Sequence, residues 1–548
     1  GRFTKQSELM QGFLTDPLAF GVSGRNNSLL LRPGSFATAS LQASRSGDLA
    51  VTTPTIALNG YANAQFPLAW FAEGSHVGMR PGDESIDGHG NNFTTALGMV
   101  PHEALNLFLF ANRFSADLAP APKPTSPQRI EGSESRVDLG LNYRFSPDHQ
   151  VWLKLGSGRL DARFAGYRQD IHERQKNLSD TADLQWRHSL REDHGRQTWT
   201  EWSWGLEFAR SSLHRGTISA PAPDALPRIV DDEHWRDRSA TLYVQRRSAW
   251  SAALELDAGL FWQHYRTTPA YQGQIDTAQG SLQKDKELIG LRRSGLYPRF
   301  GLAWSPTEEH TWRIAYQDWL RPASASTLGS VATAGIVLDD QSVMAGGRLR
   351  RLRLQWEHEL SQQGLATGFV DTRLIRNAGL PGEVLNTRVE ANDLDRLRNR
   401  AALNLRSHGD SLEEPSVFQQ GRVDMVGASI NQLLLPTLSV FGQYTASHSR
   451  NTSNFFRGLA LPYMPRHRLG LGATWQGPDR LLLQVQAIYR TRRFTVEHGG
   501  EQLPSGWDMA LLGRWQTQNR RWTVEVFALD LLHPKRKPML GLQAAWRY

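Results

Sequence analysis

The chain of 548 residues has no cysteine. That absence excludes disulfide frameworks, thiolate metal sites, iron–sulfur clusters and cysteine nucleophiles. Long apolar runs are missing too. The densest, Ala104 to Ala111 (ALNLFLFA), is less than half of the roughly 18–20 residues that a transmembrane helix requires. A helical membrane protein is therefore excluded, whereas one that crosses the bilayer with strands is not. Lysine is scarce at 8 residues, so arginine carries the surplus of 62 Lys+Arg over 54 Asp+Glu. The formal charge of +8 suits nucleic acid, anionic lipid or an acidic polymer and selects none of them. The chain opens on Gly1-Arg2-Phe3, with neither an initiator Met nor a signal-peptide pattern. It is expected to begin after processing or to be cut from something longer.

What is present is alternation. Val137, Leu139, Leu141, Tyr143 and Phe145 alternate with Arg136, Asp138, Gly140, Asn142 and Arg144. Trp202, Trp204, Leu206 and Phe208 alternate with Glu201, Ser203, Gly205 and Glu207. The same holds for Leu481, Leu483, Val485, Ala487 and Tyr489 against Gln484, Gln486, Ile488, Arg490 and Arg492. Successive strand side chains point to opposite faces, so each segment has one apolar and one polar face. A soluble sandwich or propeller would share this period. Three features favour a membrane barrel instead: segments of about ten or more residues, against 5–6 in soluble strands; full charges on the polar face; and Trp or Tyr near the ends of the apolar face, as an aromatic girdle requires.

The expected fold is all-β: a transmembrane antiparallel β-barrel of 22 strands, with 24 as the close alternative, because single-chain barrels have even counts. Residues 35–548 form the barrel. Residues 1–34 form a periplasmic N-terminal segment or linker, too small for a domain. Short turns at 146–148, 305–307, 477–479 and 517–519 are assigned to the periplasm. Long polar stretches at 80–92, 116–133, 212–235, 268–289, 377–394 and 447–460 are assigned to extracellular loops. Alternation is poor around 321–342 and 395–430. The chain ends in Trp546-Arg547-Tyr548, similar to the C-terminal signal by which the barrel assembly machinery selects its substrates. Tyr stands there in place of the usual Phe.

Several stretches resemble the barrel of TonB-dependent receptors. They are Tyr297 to Pro306 with Thr311 to Tyr316 and Leu320-Arg321-Pro322, then Leu461 to Leu469, then Trp522 to Leu532 followed by His533-Pro534. The resemblance covers about the last half of the chain and implies an outer-membrane location. Those receptors carry an N-terminal plug of roughly 150 residues and an energy-coupling box, which residues 1–34 cannot supply. Gln11 to Leu18 and Leu31 to Gly34 resemble, more faintly, the junction of proteins that fuse a periplasmic tetratricopeptide solenoid to a barrel.

No GxSxG, HExxH or P-loop pattern occurs, and the 17 His show no metal spacing. Asp231-Asp232-Glu233-His234 is expected to be a solvated loop, since consecutive residues splay apart rather than meet in a cleft. The chain is expected to be no enzyme, with no cofactor and no metal. If the apolar faces meet lipid, then Arg136, Arg144, Arg313, Arg351, Arg353, Arg490 and Arg492 face the lumen. There they either focus positive potential on an anionic substrate or pair with Glu201, Glu207, Glu357 and Glu525 to stiffen the wall. The leading functional expectation is a channel for a bulky substrate, such as an exported exopolysaccharide, with a periplasmic helical domain upstream. An uptake receptor without its plug is the second, and a barrel that encloses a partner protein the third. Expected partners are outer-membrane lipid and lipopolysaccharide, the assembly machinery and an extracellular polymer, and not nucleic acid.

Overall fold

Each strand pairs antiparallel with its sequence neighbour, and the last closes on the first. The computed structural model describes residues 36–46, 49–62, 67–80, 87–119, 129–167, 171–190, 198–219, 228–284, 290–323, 328–329, 332–338, 343, 345–361, 363–377, 418–454, 456–494, 499–500, 502–532 and 538–548. Closure joins Phe36–Ser46 to Met539–Arg547, with Thr38 opposite Arg547 and Ser46 opposite Met539. The result is a closed antiparallel barrel of 22 strands. Gly280–Lys284 adds no further strand to the circumference. It pairs with the far end of Leu254–Thr277, whose near end pairs with Leu291–Trp304, so both pieces occupy one place in the wall.

The alternation in the sequence sets the two faces. On Leu482–Arg490, Leu483 is exposed while Ile488 and Arg490 are buried. On Arg228–Ser251, Leu242 is 54% exposed beside Tyr243 at 2%. On these strands the exposed apolar side chains lie on the outer face, which is the face that meets hydrocarbon. Trp186, Trp204, Trp250, Trp304, Trp515 and Trp522 form an exposed aromatic belt near one end. That end carries the tight turns at 103–104, 147–148, 252–253, 305–309, 436–437, 477–481 and 517–521. The strand ends at Leu320 and Arg348, Arg376 and Gln420, Asn451 and His467, and Arg490 and Gly506 all lie at the other, the loop end.

Two expectations change. The stretches assigned to long loops are in large part strand: 87–92, 116–119, 129–133, 212–219, 228–235, 268–277 and 447–451 all belong to the wall. They rise beyond the bilayer, where both faces meet water, so no apolar face marks them. Of the remainder, 280–284 is a further short strand, while 81–86, 120–128, 220–227, 285–289, 378–394 and 455 lie outside the described residues, as does the segment 1–34. The quartet Asp231 to His234 is likewise strand, within Arg228–Ser251. Consecutive members do splay, though onto the two faces of a wall: Glu233 is buried inside, while Asp232 meets His214 at 2.5 Å outside.

Wall height is uneven. Arg228–Ser251 and Leu254–Thr277 have 24 residues each, whereas Leu482–Arg490, Trp522–Leu529 and Met539–Arg547 have 9, 8 and 9. About 9–11 tilted residues cross a bilayer. At roughly 3.3 Å per residue and a tilt near 45°, the tall side rises about 30 Å above the membrane.

A single cysteine introduced into this cysteine-free chain checks the faces. At Val485 it is expected to react with a bilayer-soluble thiol reagent, and at Gln484 with an aqueous one. A one-residue register slip would turn Gln484, Gln486 and Arg490 to the lipid side; an Arg costs roughly 2–4 kcal/mol at the midplane and about 0–1 kcal/mol near the interface, where Arg490 ends the strand. Reversed labelling would overturn the assignment.

Candidate functional site

The poorly alternating stretch after His310–Leu320 enters the barrel. Pro322 stops the strand, and the connection to Arg348–Ser361 runs back along the inner wall. Its backbone leaves water and must find partners, and wall side chains supply them strand by strand. Gln263 accepts from the Leu320 amide at 2.9 Å, and Ser239 from that of Ala323 at 3.0 Å. Glu207 accepts from Gly329 at 3.0 Å, and Asp257 from Ala334 at 3.0 Å. Gln185 donates to the Leu328 carbonyl at 2.9 Å, and Arg293 to that of Gly346 at 2.7 Å. Leu328, fully buried, completes a cluster with Ala69, Phe71, Ala96, Phe108 and Trp152 of distant strands.

The tip of the inserted segment is a two-residue hairpin. Ala332–Thr333 pairs with Ile336–Val337 around Ala334 (φ 47) and Gly335 (φ 78). Both φ values are positive, as the tightest hairpin turn requires. At 335 the positive φ favours glycine, and a Cβ there would also push on the Arg313 guanidinium, 2.9 Å away.

A chain of charges lies beneath this tip. Asp371, with no exposed surface, accepts from Arg351 at 2.5 and 2.8 Å, Arg373 at 3.1 Å and Arg353 at 3.4 Å. Gln355 links Arg353 to Glu357, which also pairs with Arg313 at 3.0 Å. Four guanidiniums thus gather around Asp371 and Glu357. Arg351 and Arg313 also hold the tip directly, through the carbonyls of Val337 (2.7 Å) and Ala334 (3.2 Å).

Of the sequence-selected arginines, this site unites Arg313, Arg351 and Arg353. Arg136 is on another part of the inner wall, 2.5 Å from Asp138. Arg144 shares its parity but is exposed beside the turn at 147–148. Arg490 is buried 3.9 Å from Asp508. Arg492 lies past the end of its strand and is exposed, so it lines no regular face. Trp546 and Tyr548 are at the closing strand, with ring centroids 6.0 Å apart. Of the acids proposed as partners, Glu357 pairs with Arg313, Glu525 with Arg514, Glu201 with Arg187 at 3.7 Å, and Glu207 holds the inserted segment. Sequence reasoning missed Asp371 and Arg373; the alternation Val370, Thr372, Leu374 against Asp371, Arg373, Ile375 marks their shared face.

Outside the barrel, above the bilayer, cross-strand ion pairs lace the tall wall. Hydrogen bonds hold the Asp117 carboxyl, through Arg129, and the Asp161 carboxyl, through Arg174, below the ordinary carboxylate range. A depressed carboxyl contributes stability above its unfolded value, lost as pH falls through the lowered one. These pairs therefore persist through neutral pH and open only in acid, and being exposed they contribute little each.

Residues 81–347 match the family model described as TonB dependent receptor-like, beta-barrel. That range includes the hairpin from Tyr297 but not the two later resembling stretches. No curated protein matches the sequence. Among solved structures, the ferric citrate transporter FecA aligns at a TM-score of 0.67 and 10% identity, over 94% of this chain and 80% of that one. The siderophore receptor PiuA from Acinetobacter baumannii aligns at 0.66 and 11%, over 94% and 82%. The ferric yersiniabactin uptake receptor FyuA from Yersinia pestis aligns at 0.65 and 10%, over 95% and 81%. At these identities the likeness is one of fold.

Proposed function

We propose that this outer-membrane β-barrel, which is similar to the barrels of TonB-dependent receptors, is the wall of an uptake receptor for a bulky, anionic ferric chelate. The observation that carries this reading is the gathering of guanidinium beneath the inserted tip. Arg351, Arg353 and Arg373 converge on Asp371, and Arg313 meets Glu357. Positive charge inside low-dielectric walls raises the local concentration of anions. The receptors of like fold named above, which take ferric citrate, ferric yersiniabactin or a siderophore, support the substrate class. TonB, named in the family's description, is the energy-supplying partner in this proposal. Polymer export through the same wall draws no support from the comparisons.

The test is iron uptake by cells that lack their own ferric-chelate receptors and carry the full-length gene. Radio-iron offered on anionic chelates is expected to accumulate in a TonB-dependent manner. The double variant Arg351→Gln/Arg353→Gln should accumulate several-fold less at equal amounts in the outer membrane. A correctly inserted barrel that accumulates no iron from a panel of such chelates would refute the reading.

A further inference from the structure

Two imidazoles meet on the outer face of the barrel, away from the lumen. His149 opens the strand His149–Tyr167 directly after a tight turn, and His188 is near the end of Ile171–Leu190. The register sets them directly opposite each other. Their Nδ1 atoms are 3.0 Å apart, with ring centroids at 4.0 Å and planes inclined by 36°. Trp186, two residues from His188 on the same face, stands edge-on to His149 at 6.4 Å. Both histidines are half-buried in the aromatic belt at the turn end.

We propose that His149 and His188 form a site for one divalent transition-metal ion, copper(II) or nickel(II), bound through both Nδ1 atoms. The bite distance selects the metal class. Metal–imidazole bonds of about 2.0–2.1 Å place two nitrogens roughly 2.9 Å apart at a right angle, and roughly 3.3–3.4 Å apart at a tetrahedral one. The observed 3.0 Å fits the right angle, the geometry of square-planar or tetragonal copper(II) and nickel(II) rather than of zinc. Copper(II) also heads the general affinity order for nitrogen ligands. Binding needs both rings neutral with the proton on Nε2. The hydrogen-bonded alternative keeps one proton between the two Nδ1 atoms, and moving it to Nε2 frees the pair without change of net charge.

Among the described residues no third metal-ligating side chain joins a cluster, so the remaining coordination positions go to water or lipid phosphate. The ion staples two adjacent strands at their ends. A second cross-strand pair, His310 and His358, has centroids at 4.2 Å. There, however, Nδ1 of His310 accepts from the Trp356 indole at 3.3 Å. It serves as the internal control.

Copper(II) titration of the purified chain in micelles, read by electron paramagnetic resonance, tests the proposal. One tightly held equivalent is expected, coupled to two imidazole nitrogens. His149→Gln and His188→Gln should each leave at most one nitrogen and weaken retention against a competing chelator by at least about tenfold, the scale lost when even outer-shell support is removed. His310→Gln should change neither. A two-nitrogen signal that survives both His149→Gln and His188→Gln, or that vanishes with His310→Gln, overturns the assignment. A check on the unaltered chain covers variants that fail to fold. Copper(II) should shield His149 and His188 from acylation by diethylpyrocarbonate, and equal acylation with and without the metal overturns the site.

Discussion

Replacing Pro322 through Gly346 with a short polar turn is expected to raise the single-channel conductance of this 548-residue chain several-fold. The wall itself should survive, because its ladder of strand pairs closes without that segment. Gln185, Glu207, Ser239 and Asp257 would lose the backbone groups they hold and return to water, where polar side chains are satisfied. A barrel this wide then holds an aqueous channel where the segment had been. Planar-bilayer recording decides the matter: equal conductance before and after excision would show that the segment obstructs nothing. A point variant approaches the same result. Trp152→Ala removes a nearly fully buried ring from the cluster that receives Leu328, at about 3–5 kcal/mol, and should loosen the far end of the segment.

The second large effect is expected at Asp371. Asp371→Asn leaves Arg351, Arg353 and Arg373 within reach of one another and without their common carboxylate. Breaking a buried ion pair from one side costs about 3–5 kcal/mol, which urea unfolding of the barrel in vesicles would register. The same change adds one unit of positive charge to the inner wall, so anion preference should rise. That preference should fade as salt shortens the Debye length from about 10 Å at 0.1 M to about 3 Å at 1 M. Adding Arg353→Gln should recover part of the lost stability, since neighbours in one charge network do not act independently. Full additivity of the two changes would mean that the four groups are not coupled.

The wall was legible where its two faces meet different surroundings. On Leu482–Arg490, lipid outside and lumen inside impose a period of two that survives in the sequence as Leu483, Val485, Ala487 and Tyr489 against Gln484, Gln486 and Arg490. Above the bilayer that contrast ends. Ser212, His214 and Gly216 face water outside while Leu213, Arg215 and Thr217 face inward, and the strand carries no period to read. The inserted segment escaped for a different reason. Leu328, Ile336 and Val343 are fully or almost fully buried, yet they follow neither a strand nor a helix period, because apart from the short hairpin at its tip and the backbone pairing of Arg321 with Gly346 and Gly347 the segment is held by side chains of the wall. Arg351 and Arg353 were visible from parity alone. Their joining to Asp371 and Arg373 depends on the register between Arg348–Ser361 and Gly364–Arg376, which no single strand encodes.

The unequal strand lengths bevel the tube. With 24 residues on Arg228–Ser251 and 8 on Trp522–Leu529, the rim slopes from about 30 Å above the membrane on one flank towards its surface on the other. The wall is therefore not equivalent around its circumference. The strands of the high flank present a charged parapet to the medium, and a large adhesin, antibody or phage protein that binds the wall above the bilayer should have a footprint biased towards residues 129–135, 157–163, 210–218 and 232–238.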